Sequence, residues 1–303
     1  MVTILQNSAV SEDPALGSIG HAVAAARECL AGAGLSAADV DVLVNVGVYR
    51  DANIVEPSNA ALIQRELGMH PDYESGSSRP GFSLDLRNGA CGVLNALQAA
   101  NALLANGTAE RVLIVGSDAH PGGRADAADF PYATVGGAFL VTKGLDDATG
   151  LGAVHLQPAL RPDGAHPGVA GYLDLKAMGR DGARTITVDV AVDFAEQVTG
   201  VARTAVRNYL ANHPDMASDS TVLVTSNPAP DFAATLAADF GFARHHQADT
   251  GSRNAGSSGL IIAYHQLIRS GAVGQGDRLL LVAGGSGPTA GCVGYRVPAG
   301  GAG

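Results

Sequence analysis

Two stretches of this chain follow the same order of elements. Residues 42–68 (VLVNVGVYRDANIVEPSNAALIQRELG) and 222–241 (VLVTSNPAPDFAATLAADFG) each run from an apolar strand through a loop into a helix that stops at glycine. The segments that follow also match: 92–107 closes on Gly107 before RVLIVGSD, and 256–271 closes on Gly271 before RLLLVAGG. Internal self-similarity restricts the architectures open to a chain, because each copy must bury the same faces. Two strand–helix–strand–helix–strand halves predict a duplicated α/β protein in five layers, α/β/α/β/α. The halves are residues 1–150 and 151–303, with an inserted segment at about 150–219 that carries its own helix. Two equivalent helix starts then converge near the middle, at Cys91 and around Asn254.

The strands are predicted at residues 42–46, 83–86, 111–115, 221–224 and 278–282. They lack polar alternation, which is the pattern of strands covered on both faces. Helices are predicted over residues 18–33, 57–67, 92–105, 194–212, 231–240 and 255–269. Ser36 before AADV and Pro57 fit helix starts, and Gly107 and Gly271 fit helix stops. A chain of 303 residues that is 46% apolar can bury a large core, which excludes a disordered segment.

The formal net charge of −10 comes without any Lys/Arg run, which argues against a nucleic-acid partner. Cys29, Cys91 and Cys292 are far apart and odd in number, so they form neither a disulfide framework nor a zinc site. No H-x-x-x-H or C-x-x-C spacing offers a metal site. The N-terminal residues lack the basic and apolar runs of a signal peptide, and no apolar run reaches the ~18 residues of a membrane span. The expectation is a cytoplasmic protein.

The residues DLRNGACG (85–92), GSD (116–118), RNAGSS (253–258) and GGSGPTAG (284–291) stand in an order that resembles the thiolase superfamily, specifically β-ketoacyl-synthase III and its relatives. The stretch GVYRDANIVEP (47–57) is similar to a loop of head-to-head acyl-condensing enzymes of olefin and β-lactone pathways. The resemblance spans roughly residues 18–297. It implies a duplicated thiolase fold, a dimer, and acyl groups handled as coenzyme A or carrier-protein thioesters with no bound cofactor. The acidic balance leans toward coenzyme A, because carrier proteins are themselves acidic. These families also carry a first strand and an Arg-bearing coenzyme A contact ahead of the first long helix, and the sequence reads as lacking both.

Acyl condensation needs a thiolate, donors for the thioester oxyanion, and a base that generates a carbanion. Cys91 stands at a strand–helix junction, where the helix dipole lowers a thiol pKa. The same position also suits a small buried Cys. Counting from Gly92 and Gly107 without gaps places Ala90, not Cys91, at the family's nucleophile, and one residue at a helix start turns a side chain by about 100°. Either the junction has lost a residue and Cys91 serves, or the nucleophile is gone. The same count puts Asn254 on the family's active-site Asn and Ser226 on its His. Asn254 suits an oxyanion donor or a helix cap; Ser226 cannot act as an imidazole. Gly285 and Gly287 supply backbone around the site. His120, His166 and the pair His245–His246, the latter expected within a strand, offer no evident substitute base.

Glu56 matches a Glu that, in the olefin-type relatives, reaches into the neighbouring subunit's site and takes part in proton abstraction. A helix-start acid before Pro57 is the plainer reading. Three functions follow. The chain is a condensing-system member that donates Glu56 to a partner, as a homodimer or with a homologous subunit; or a stand-alone acyltransferase using Cys91; or a non-catalytic subunit.

Overall fold

The computed structural model describes residues 3–51, 56–69, 81–123, 128–144, 149–159, 168–173, 176, 185–216 and 219–298. The first half runs β1 (Thr3–Ser11), α1 (Ser18–Gly32), β2 (Val42–Asn45), α2 (Asn59–Leu67), β3 (Phe82–Asp85), α3 (Gly92–Ala105), β4 (Arg111–Ser117) and β5 (Gly136–Lys143). The second half opens with short strands β6 (Gly150–Leu151) and β7 (His155–Pro158), then the hairpin β8 (Val169–Tyr172) and β9 (Thr187–Val190). It continues through α4 (Phe194–Asn212), β10 (Thr221–Thr225), α5 (Phe232–Phe240), β11 (Arg244–Gln247), α6 (Gly259–Arg269), β12 (Arg278–Gly285) and β13 (Thr289–Arg296).

The repeat read in the sequence is a repeat of topology. One sheet has the order β1-β5-β4-β2-β3 and the other β6-β13-β12-β10-β11, with β7 also on β13. In each, a central strand pairs in parallel on both sides, β2 with β3 and β4, and β10 with β11 and β12. Helices α1 and α2 cover the outer face of the first sheet, α4 and α5 that of the second, and α3 and α6 fill the space between the sheets. Each middle helix rests on the other half's sheet at a glycine. A Cβ on Gly137 of β5 would meet Ile261 of α6 at 2.8 Å, and one on Gly291 of β13 would meet Leu94 of α3 at 2.8 Å. Glycine at these two positions permits the close helix–sheet contact.

Several expectations need correction. A first strand exists: β1 pairs antiparallel with β5, with a bulge between Leu5 and Asn7. Its polar residues Gln6, Asn7 and Ser8 hide it from a search for apolar runs, because it lies at the sheet's end and is only half covered. The chain then passes to α1 through residues 12–17, so no long segment separates strand and helix. Helix α2 begins at Asn59, not Pro57, with Ser58 accepting the Ala61 N–H at 3.2 Å. A 3₁₀ turn at Gly256–Ser258 precedes α6. Strand β13 is interrupted by Gly291 and Gly294 and β5 opens on Gly136 and Gly137, so neither reads as a long apolar run. His245 and His246 do lie within β11, and His166 lies outside the described residues.

Candidate functional site: a closed cavity between two matching elbows

The elbows that lead into α3 and α6 are the same turn. Gly89 and Gly256 both adopt left-handed φ, +50° and +58°. Gly92 N–H bonds to the Gly89 carbonyl at 3.0 Å, and Gly259 N–H to that of Gly256. This sets NGACG (88–92) on AGSSG (255–259), so that Ala90 corresponds to Ser257 and Cys91 to Ser258. In both elbows the first of these residues lines the central cavity and the second turns inward.

Cys91 is fully buried. Its Sγ donates to the carbonyls of Ala283 (3.4 Å) and Thr289 (3.5 Å) in β12 and β13. Burial pushes its pKa up to about 12, against a smaller lowering by the Gly285 backbone. A Cβ on Gly285 would stand 3.0 Å from that sulfur, so glycine here lets β12 close over the thiol. The helix dipole favours a thiolate, but desolvation outweighs it in this position.

The cavity has a volume of about 10 Å³, and Ala90, Tyr132, Asn254, Ser257, Gly284 and Gly285 are among its walls. That is room for one water at most. Asn254 Oδ1 accepts the Gly256 N–H at 2.8 Å, and its own carbonyl accepts the Ala133 N–H at 2.8 Å. Its Nδ2 has no partner among the described residues. Ser226 is fully buried, does not line the cavity, and accepts the Gly284 N–H on Oγ at 3.1 Å. Gly287 sits exposed in the turn between β12 and β13.

Glu56 is exposed and does not line its own chain's cavity. Its surroundings are braced: Arg50, 7% exposed, donates to the Pro57 carbonyl at 2.9 Å. Burial, and then the neighbouring Arg87, lower the Arg50 pKa, with Asp85 and Asp51 acting against them. Asp85 holds the start of α2 by accepting the N–H groups of Asn59 (3.1 Å) and Ala60 (2.8 Å). His120 lies apart, accepting the Gly122 N–H on Nδ1 at 2.8 Å, in a separate 620 Å³ pocket.

Two residues here had no site role in the sequence reading, although Asp118 closes the GSD motif. Asp118 is 1% exposed and accepts three backbone N–H groups: Val48 (2.9 Å), Tyr49 (2.8 Å) and Ser257 (2.8 Å). It thereby ties the loop after β2 to the second elbow. An acid directly after a buried strand was a readable signal. Tyr132, whose ring lines the cavity, left none.

Against solved structures, the chain superposes on 3-oxoacyl-(acyl carrier protein) synthase III from Pseudomonas aeruginosa with a TM-score of 0.77, covering 98% of this chain and 99% of that one at 19% identity. It has the thiolase fold. OleA of Xanthomonas campestris fits with a TM-score of 0.76 over 98% of this chain, at 16% identity. In sequence, the β-ketoacyl-acyl-carrier-protein synthase III of Roseobacter denitrificans is 38% identical over 98 residues, 32% of this chain and 27% of that protein. That of Mesorhizobium japonicum is 34% identical over 115 residues, 38% of this chain and 32% of that protein. The chain thus matches about a third or less of these curated relatives' length in sequence. No family model matches it. Likeness to β-ketoacyl synthase III therefore extends in fold over nearly the whole thiolase-fold chain, and in sequence over about a third of it. Among the described residues, no helix is long and apolar enough to cross a membrane.

Proposed function

We propose that this chain is the non-catalytic member of an acyl-thioester condensing pair, lending Glu56 to a homologous subunit that carries a complete Cys–His–Asn set. The observation that carries this reading is the cavity wall, where Ala90 stands at the position counted as the family's nucleophile. Ser226, at the position of the base, is committed to Gly284. Loss of a general base alone typically costs about 10²–10⁴ in rate. A stand-alone acyltransferase is disfavoured, because Cys91 faces β12 and β13 with its pKa near 12, which leaves little thiolate at neutral pH.

Glu56, by contrast, is exposed on a braced loop near β3, the strand at the end of its sheet. A carboxylate must come within hydrogen-bond reach of the proton it removes, and an outward-facing one does so only in another subunit. The pair would take coenzyme A or carrier-protein thioesters in fatty-acid, polyketide or related synthesis in the cytoplasm. The net charge of −10 favours coenzyme A.

The test is co-expression with an intact homologue, with co-purification as a heterodimer expected. Glu56→Gln should leave assembly and acyl loading of the partner's cysteine unchanged, while condensation falls by about 10²-fold or more. Unchanged condensation would return Glu56 to a helix-start role.

A further inference from the structure

Two unpaired groups mark the closed cavity as a place for a ligand rather than solid core. Ser257 is fully buried and its Oγ has no hydrogen-bond partner. Asn254, on the same wall, leaves Nδ2 uncommitted while its Oδ1 serves Gly256. The fully buried Ser257 hydroxyl without a partner carries a desolvation cost that a carbonyl oxygen would relieve, and the half-buried Asn254 amide lines the same cavity. Ala90, Gly284 and Gly285 add small residues to the walls on one side, and Tyr49, Phe194 and Tyr132 add large rings.

Tyr132 is the ring that decides the space left. It is 5% exposed, its ring stacks on Tyr49 at a centroid distance of 5.7 Å, and Phe130 meets it edge-on at 5.5 Å. The Ala133 N–H on the Asn254 carbonyl fixes the backbone beside it. Held at ring face and backbone, the side chain is a fixed wall.

We propose that Tyr132 determines what this cavity accepts: its ring stands in the place of a short acyl chain whose carbonyl oxygen would take the Asn254 amide and the Ser257 hydroxyl. The inference rests on reading the chain as non-catalytic. With Ala90 in place of a thiol, occupancy is non-covalent and no bond is made or broken.

The test is calorimetric titration of the full chain with butyryl-CoA, using coenzyme A as the control that isolates the acyl group. The wild-type chain should not distinguish the two, and Tyr132→Phe, which keeps the ring, should behave like it. Tyr132→Ala should bind butyryl-CoA about tenfold or more tighter than coenzyme A, at one per chain. Adding Ser257→Ala to that variant should take back several-fold of the gain. Tyr132→Leu, which vacates the outer half of the ring, gives the same readout should the alanine variant unfold. A folded opening variant that does not distinguish the ligands overturns the proposal, and so does a wild-type chain that already does. Neither result bears on Glu56, whose role is read from condensation by the pair.

Discussion

Val46 and Ser226 hold equivalent places in the two halves. Each follows the central strand of its sheet and donates its backbone N–H to the neighbouring strand, Val46 to Val115 at 2.8 Å and Ser226 to Val282 at 3.0 Å. Each lies against the glycine that opens a middle helix: a Cβ on Gly92 would stand 3.1 Å from the Val46 Cβ, and one on Gly259 would stand 3.1 Å from the Ser226 Cβ. Beyond these roots the loops diverge. The first runs outward to an exposed Glu56, and the second turns at once into α5. The position that counts as the family's base is therefore, in the plan of the duplicated fold, a core position. Valine fills it in one half and a hydrogen-bonded serine in the other, so nothing there answers to proton chemistry. One half presents a group at the surface and the other closes inward.

The strongest way to break this comparison is at Asp118, the acceptor shared by the first loop and the second elbow. Asp118→Ala removes the acceptor of three N–H groups, those of half-buried Val48 and Tyr49 and of fully buried Ser257, and the expected loss is about 3 kcal/mol. Urea denaturation measures it; a loss near zero would mean the two regions hold their places independently. A second effect, which accumulates with pH, separates the elbows. Burial raises Cys91 to about 12, so above the ordinary thiol pKa near 9 the unfolded chain releases a proton that the folded chain keeps. Stability should then fall by about 1.4 kcal/mol per pH unit between about 9 and 12 for this thiol, and not change on its account below. Cys91→Ser gives the first elbow the residue of the second, Ser258, and should flatten the slope by that one contribution in denaturation series at alkaline pH. An unchanged slope would place Cys91 in contact with solvent. The smallest effect is expected of Ser226→Val, which copies Val46 into the second half. It leaves the buried Gly284 N–H without its acceptor and should cost about 1–3 kcal/mol by the same measurement.

Much of the fold was legible because burial on both faces imposes long apolar runs. Strands β2, β4, β10 and β12, all buried through most of their length, stood out for that reason, as did every long helix. β1 did not, because a half-covered end strand keeps polar residues. At the site, counting between glycines identified Ala90 and Ser226 as the positions to examine, since glycines at fixed turns keep register where side chains vary. Counting could not say where the Cys91 sulfur points, nor that Tyr132, far from every motif, reaches the same cavity.

The sequence by itself determined the duplication, the long helices with their glycine stops, the buried strands, and the places of Ala90, Asn254 and Gly285 at the centre. These are properties of local pattern and spacing. Only the tertiary structure decided that the thiol faces β12 and β13, that Asp118 joins both halves, and that an aromatic ring closes the cavity. Those outcomes depend on which residues distant in the chain share a volume. The same cysteine would be activated by the helix dipole if solvated, and is silenced here because Ala283, Gly285 and Thr289 close over it.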